Sequence, residues 1–311
     1  MSPEPDPAPA PTPDADWDVL VVGRSYAGLS AALTLGRTRR ATLLVGTGGP
    51  RNQDVSHTHG LLTRDGAGPG EFVAAAQDEL ARYETVQLED DHVTSIEPVA
   101  EGFRAHIGPR TVTATAVVLT TGVNDDPVPV PGLAEHWGRG VFTCPYCDGW
   151  EHRDGVLAAL APAPFGPHVA RILTMLTDRV LLLSPVEPAV GDELVAAGVT
   201  IEPRPVARVV GDGDRATGVE LEDGTLLDVD AIFGASIPRP NSSLAASLGC
   251  ELDGDGFVVV GPDQSTSVPG VYAAGDVTAR RMFTMAAALA SGAMAAVAAN
   301  NAALFGPVSA G

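Results

Sequence analysis

Residues 17–28 read WDVLVVGRSYAG, and the helical pattern LSAALTLGRT follows directly. The apolar run, Trp17 to Val22, predicts a short buried strand, and the two glycines that follow it predict a tight turn into a helix. This arrangement is typical of a dinucleotide-binding βαβ unit, in which backbone amides at the helix N-terminus bind a pyrophosphate. Ser25 stands where the fingerprint has its second glycine. The predicted cofactor-binding residues of this turn are Gly23, Ser25, Tyr26, Ala27 and Gly28.

The second predicted strand, residues 41–45, ends at Gly46. An acidic residue usually binds the ribose hydroxyls of the cofactor at this position, so that contact is missing. The next loop, GGPRNQ, offers Arg51 and Asn52 as substitute polar contacts.

Two later strands add candidate cofactor-binding residues. Residues 116–122 read AVVLTTG, a buried strand with Thr121 and Gly122 at its end. Residues 271–277 read VYAAGDV, and an alanine-rich helix is predicted over about 284–300. Gly275 and Asp276 end this strand, and the Asp276 carboxylate is placed to bind a ribityl hydroxyl.

The segment CPYCDGWE, residues 144–151, carries two thiols separated by two residues. Such a pair can close and reopen a disulfide when a neighbouring group supplies or removes two electrons. A zinc site is excluded because the third cysteine, Cys250, has no CxxC or HxxxH partner. The HxH pair of His57 and His59 also lacks a third ligand, which is typical of polar surface, so no metal site is predicted. Cys144 and Cys147 are therefore candidate catalytic residues.

Around this motif the chain has a second βαβ pattern. A proline-rich crossing, residues 126–132, precedes the cysteines, and a strand, helix and strand begin near Gly155. The expected glycine fingerprint is absent, because prolines and a phenylalanine occupy residues 161–166 and remove amide donors. The segment SPVEP, residues 184–188, has no arginine cluster for a 2′-phosphate. The pattern predicts a dinucleotide-type domain that has lost its ligand.

Bulk composition limits the remaining possibilities. A chain of 311 residues with 45% hydrophobic content is long enough for about two domains. Residues 1–16 are rich in proline and acidic residues and predict a disordered tail, not a signal peptide. We find no apolar run of about 18 residues, so no membrane span is predicted. Three cysteines fit a reducing cytoplasm, and a net charge of −20 argues against nucleic acid or anionic membrane as partner.

The three motifs GRSYAG, CPYCDGWE and YAAGDV stand in the order and approximate spacing of the low-molecular-weight thioredoxin reductase family, which the chain resembles over about residues 17–305. The resemblance implies an α/β fold with two Rossmann-like domains. An FAD domain (17–125 and 237–311) would be split around an inserted, degenerate pyridine-nucleotide-type domain (126–236) that carries the CxxC. It also implies a homodimer with FAD as cofactor, in which Cys147 faces the flavin, Cys144 exchanges with substrate and Asp148 is the acid/base.

The lost nucleotide signals and the CPYC-x-GWE and HTHGLLTRDG segments look more like the dithiol oxidases of this family, which form the disulfides of gliotoxin- and holomycin-type natural products. That resemblance implies oxidation of a small-molecule dithiol, with O2 as acceptor and H2O2 as product. Many of those enzymes have histidine where this chain has Asp148, so His57 or His59 is a rival acid/base.

Three alternatives remain open at this point. One is an NADPH-dependent disulfide reductase with an unorthodox nucleotide site, and another is a reductase fed by ferredoxin or a second flavoprotein. A third is a flavin redox sensor or dithiol-sequestering protein without multiple turnover. Ser25 and Gly46 also leave open a weakened FAD site.

Overall fold

The computed structural model describes residues 16–161, 165–279 and 283–306. The predicted tail lies outside these residues except for Asp16, and so do residues 162–164 of the proline-containing turn. The chain divides into two compact units. The first unit contains residues up to Gln53, Pro69–Asn124 and the chain from Arg239 onward, and the second contains Asp54–Gly68 and Asp125–Pro238. The expectation of an α/β protein with a split first unit is confirmed.

The elements are numbered in chain order. The strands are β1 (Trp17–Val22), β2 (Thr42–Val45), β3 (Val86–Glu89), β4 (Val93–Val99), β5 (Gly102–Ile107), β6 (Arg110–Leu119), β7 (Val123–Pro127), β8 (Val141–Phe142), β9 (Leu157–Ala159), β10 (Val180–Leu183), β11 (Val199–Glu202), β12 (Val206–Gly211), β13 (Ala216–Leu221), β14 (Leu226–Asp228), β15 (Ala231–Phe233), β16 (Ser236–Pro240) and β17 (Val271–Ala273). The helices are α1 (Tyr26–Arg37), α2 (Pro69–Leu80), α3 (Pro145–Asp148), α4 (Phe165–Leu173), α5 (Gly191–Ala196), α6 (Ser243–Ser247) and α7 (Met285–Phe305).

The first unit is built on a seven-stranded sheet in the order β3-β2-β1-β6-β5-β4, with β17 also paired to β6. Five strands run parallel: β3, β2, β1, β6 and β17. β5 pairs antiparallel with β6, and β4 pairs antiparallel with β5. β1 is buried almost throughout because it lies in the middle of the sheet. The carboxyl ends of β1, β2, β6 and β17 consequently share one edge, where open α/β sheets bind ligands.

Helix α7 packs on α1 through small side chains. A Cβ at Gly292 would collide with the carbonyl of Ala27, and Ser30 Oγ donates to the Leu289 carbonyl at 2.7 Å. By length and composition alone, α7 is long and apolar enough to span a membrane, although no span is predicted from the sequence. Its small residues, such as Ala295 and Ala299, are instead buried in the same cluster as α1.

The second unit combines an all-parallel sheet, β11-β10-β9-β15-β8, with an antiparallel sheet, β12-β13-β14. β13 and β14 form the hairpin that the sequence Asp223-Gly224 predicts, and Gly224 takes the positive φ of 83° that this turn requires. Segment 54–68 belongs to this unit, whereas the sequence boundaries placed it in residues 17–125. The difference arises because Val55 packs against the buried cluster that contains Phe142 and Phe233.

Candidate functional site

The turn between β1 and α1 is closed tightly by its glycines. Gly23 has a φ of 112°, and a Cβ there would collide with the Thr120 carbonyl at the end of β6. A Cβ at Gly28 would collide with the Gly23 carbonyl. Only glycine therefore allows α1 to begin directly beneath the sheet edge.

The start of α1 presents its N–H groups without a side-chain cap. Ser25 is the N-cap residue in an extended conformation, and within the described residues its side chain accepts no capping hydrogen bond. The following residue, Tyr26, is buried, and its hydroxyl donates to Asn52 Oδ1 at 2.9 Å. Burial raises the pKa of Tyr26 to about 12, so the hydroxyl stays protonated at neutral pH. The first turn of α1 thus retains donors for an anionic group.

Arg51 and Asp276 meet at 3.0 Å, Nη1 to Oδ2. The Arg51 guanidinium also lies over the Phe283 ring, 4.9 Å from its centroid. Asp276 lies on a 3₁₀ turn after β17, and this turn contacts α7, which begins at Met285. Asp276 therefore lies at the ligand-binding edge of the sheet with Arg51 as a positively charged partner.

The other predicted residues at this edge of the sheet make hydrogen bonds that fix the loops there. Gly275 has a φ of 75°, and its N–H donates to Ser291 Oγ at 3.0 Å. Thr121 Oγ1 donates to the Asn241 carbonyl at 2.6 Å, and Gly122 accepts from the Asn241 N–H. Ala27, the last predicted residue of the turn, is buried against Gly292 of α7.

Arg24 is a residue that the sequence analysis did not single out. Its side chain lies beside Gly46, and its Nε is buried without a hydrogen-bond partner among the described residues. The substitutes predicted for the missing acidic residue, Arg51 and Asn52, contact Asp276 and Tyr26 respectively. No local sequence signal could have identified Arg24, because it comes to lie beside Gly46 only when β1 pairs with β2.

Together these features fit FAD. The glycine turn leaves room for a pyrophosphate, the uncapped N–H groups of α1 provide donors, and Asp276 provides an acceptor for a ribityl hydroxyl. The buried Arg24 Nε is one further donor without a protein acceptor in the described chain. Within the same residues, no group of three His, Cys, Asp or Glu side chains is arranged to hold a metal ion.

The cysteine pair lies in the second unit, on and just before α3. Cys144 is the extended N-cap residue, Pro145 begins the helix, and the N–H of Cys147 donates to the Cys144 carbonyl at 3.1 Å. Neither cysteine of the pair is in a disulfide in this structure, and both are partly exposed. A hydrogen bond from the Cys147 thiol, together with backbone N–H groups, lowers the pKa of Cys144 against the opposing effects of burial and Asp148. The Cys144 thiol is therefore more readily ionised than an ordinary cysteine thiol.

Asp148 follows the pair directly and is mostly desolvated. Burial raises its pKa to about 6, His59 opposes this increase, and Glu151 adds to it. The His59 ring lies between two carboxylates, with Nε2 3.6 Å from Glu151 and Nδ1 3.7 Å from Asp65. A carboxyl group that titrates near neutrality beside an imidazole can both accept and return a proton.

Loop 54–68 brings His59 to this place. Thr58 is buried and pairs with Ala67, donating from its N–H at 2.8 Å and from its hydroxyl at 2.7 Å. Asp65 accepts from the Gly60 N–H at 2.8 Å and faces the imidazole. Of the two rival histidines, His59 is held near Asp148, whereas His57 is exposed.

The second unit has the strand and helix of a nucleotide fold, β9 and α4, but the sequence between them lacks the glycine fingerprint. Residues 162–164 lie outside the described chain. A Cβ added to Gly166, within the first turn of α4, would lie 3.1 Å from Leu182 Cδ1 of β10, so the helix packs closely on the sheet here. Beyond β10, Ser184 Oγ donates to the Val186 carbonyl at 2.7 Å and closes a short turn. That turn carries no basic residue to bind a 2′-phosphate.

Comparisons with known proteins agree with this arrangement. Residues 17–292 match the family described as pyridine nucleotide-disulphide oxidoreductase. The thioredoxin reductase tcpT of Claviceps purpurea is 33% identical over 275 residues, which cover 83% of this chain and 86% of the fungal protein. The thioredoxin reductase sirT of Leptosphaeria maculans is 32% identical over 290 residues, covering 84% of this chain and 86% of its own.

Solved structures show the same similarity. An oxidoreductase from Agrobacterium tumefaciens has a TM-score of 0.87 and 36% identity, over 93% of this chain and 99% of that one. The structure of HlmI has a TM-score of 0.88 and 32% identity, over 93% of each chain. The predicted resemblance to thioredoxin reductases is confirmed, and this chain belongs to the pyridine nucleotide-disulphide oxidoreductase family.

Proposed function

We propose that this disulfide oxidoreductase is an FAD-dependent dithiol oxidase that forms a disulfide in a small-molecule dithiol. The observation that supports it most is the pairing of an intact redox site with a nucleotide-type unit that lacks nucleotide-binding residues. Cys144, Cys147 and Asp148 are all present, but the turn after β9 has prolines for glycines and the turn after β10 has no arginine. Electrons would then enter from thiols.

FAD, when bound, would accept two electrons from the cysteine pair and pass them to O2, which yields H2O2. The residues proposed to hold it are those at the sheet edge of the first unit: Gly23, Ser25, Tyr26, Ala27, Gly28, Arg51, Asn52, Thr121, Gly122, Gly275 and Asp276. Their contribution is to bind the pyrophosphate on N–H groups and to orient the ribityl chain through Asp276.

The thiol chemistry is assigned to the second unit. A substrate thiolate attacks Cys144 Sγ of the enzyme disulfide, and Cys147 leaves as a thiolate. The second substrate thiolate then attacks the substrate sulfur of the mixed disulfide, which releases Cys144 and leaves two electrons on the enzyme. Asp148, assisted by His59, accepts the thiol protons, because its pKa near 6 leaves it ionised at neutral pH.

A reductase is the second candidate, and the names of the fungal relatives favour it. In that reaction NADPH would deliver a hydride, so the second unit would have to bind a pyridine nucleotide. One anaerobic titration distinguishes the two functions.

We expect the flavin absorbance of purified holoenzyme to be bleached by a small dithiol such as dithiothreitol under anaerobic conditions, and not by NADPH or NADH. Admission of air should restore the absorbance and generate one H2O2 per dithiol oxidised. Prompt bleaching by NADPH would instead establish a reductase. A colourless protein that takes up no FAD would contradict both candidates.

The proposal also covers partners and location. By resemblance we propose a homodimer in the cytoplasm, with neither nucleic acid nor an anionic membrane as partner, consistent with the charge of −20. The outer face of α7 carries exposed apolar side chains, Met294, Val297 and Leu304, that a second copy could cover. We expect light scattering to give twice the mass of the chain at micromolar concentration, and a monomer mass would contradict the proposal.

A further inference from the structure

The end of β2 has no room for the acidic side chain that normally binds the cofactor there. A Cβ placed on Gly46 would lie 2.6 Å from the backbone nitrogen of Arg24 and 3.0 Å from the Arg24 Cβ. Gly46 itself is fixed by its N–H bond to the Glu89 carbonyl at 3.1 Å. The absence of the carboxylate is therefore built into the packing of this turn, and Arg24 occupies the space beside it.

Within the described residues, Asp90 contacts one side of the Arg24 guanidinium, at Nη2, and the Nε–H has no acceptor. Its Nη2 lies 3.1 Å from Asp90 Oδ2, just beyond β3, and 17% of the arginine side chain is exposed. Its Nε is buried and has no hydrogen-bond acceptor anywhere in the described residues. A buried N–H without an acceptor is unfavourable, so this donor is expected to meet an acceptor that the protein chain does not supply.

We propose that Arg24 binds the adenosine half of FAD, with its Nε–H donating to a ribose hydroxyl oxygen at the end of β2. A ribose hydroxyl can donate to a carboxylate or accept from a guanidinium, so the arginine replaces the missing acidic residue with the hydrogen bond reversed. Asp90 fixes the guanidinium in this orientation. The inference depends on the proposed FAD cofactor and not on the direction of the thiol reaction.

This role separates FAD from FMN, because FMN lacks the adenosine half. The experiment strips the flavin from the protein and titrates the apoprotein with FAD and with FMN, following flavin fluorescence. In Arg24→Ala we expect the dissociation constant for FAD to rise about tenfold, as for loss of one hydrogen bond from a buried group, while that for FMN changes less than about twofold. Arg37→Ala, an exposed arginine in the last turn of α1, should change neither constant.

Arg24→Lys serves as a second variant that keeps the charge facing Asp90 but lacks Nε, and it should show the same selective loss. A misfolded variant is recognised by its circular dichroism spectrum, and if Arg24→Ala misfolds, Arg24→Lys decides. Unchanged FAD affinity, or equal losses for FAD and FMN, would overturn the assignment. Preferential displacement of FAD by NADP⁺ over NAD⁺ in wild type but not in Arg24→Ala would also overturn it, because Arg24 would then bind a phosphate. If wild type binds neither flavin, the proposed function is lost as well.

Discussion

Cys144→Ser is expected to reduce dithiol oxidation by at least about 10³-fold, because removal of a covalent nucleophile eliminates the exchange step itself. Serine cannot form the disulfide that the substrate thiolate attacks. Cys147→Ser should cause a similar loss, since Cys144 can then no longer close the intramolecular disulfide. Turnover is measured as H2O2 formed per enzyme with dithiothreitol as the test dithiol.

The third cysteine provides a matched control. Cys250 is buried in the first unit, burial raises the pKa of its thiol, and its Sγ lies 3.5 Å from Thr266 Oγ1. Cys250→Ser should therefore leave the oxidation rate unchanged, and the visible flavin spectrum should be retained in all three variants. A Cys144→Ser enzyme that oxidises dithiols at the wild-type rate would eliminate the proposed mechanism.

The local features of this site follow from the sequence, because they depend on neighbouring residues. β1 has the predicted bounds, Trp17–Val22, and the glycines of the first turn lie where the fingerprint requires them. The hairpin at Gly224 is equally local. In each case the local strand pattern and the conformation of glycine were sufficient for the prediction, since no distant contact decides the outcome.

Other features depend on contacts between distant parts of the chain, and the sequence alone left them open. His57 and His59 are equivalent in the pattern HTH, and only the pairing of Thr58 with Ala67 turns His59 toward Glu151. The placement of loop 54–68 in the second unit rests on the packing of Val55. The role of Arg24 is visible only from its position beside Gly46. Periodicity does not predict such contacts.

Asp148→Asn is expected to lower the oxidation rate about 10²-fold at pH 7–8, the usual effect of removing a general base. With the pKa of Asp148 at about 6, the wild-type rate should rise as pH increases through 6, because the carboxylate form accepts the proton. That limb should disappear in Asp148→Asn. His59 lowers the pKa of Asp148, so His59→Gln should move the limb to higher pH, whereas His57→Gln, at an exposed site, should leave it in place. If the limb survives in Asp148→Asn and disappears in His59→Gln, the histidine is the base.

Asp148→Asn should also stabilise the fold, and this effect separates a loss of catalysis from a loss of structure. Burial raises the pKa of Asp148 from 3.8 to about 6, so folding disfavours its charged form. Below about pH 4 the Asp148 carboxyl is protonated in both the folded and the unfolded state, so it does not lower the free energy of unfolding. Between about pH 4 and 6 only the unfolded state releases the proton, so the free energy of unfolding falls as pH rises. Above pH 6 the full penalty applies, at most about 3 kcal/mol. Asparagine does not titrate, so Asp148→Asn should unfold at higher urea concentration than wild type at pH 8 and show no such advantage at pH 4. A variant that loses both activity and stability at pH 8 would mean that the carboxylate supports the structure of α3, and its assignment as the proton acceptor would have to be withdrawn.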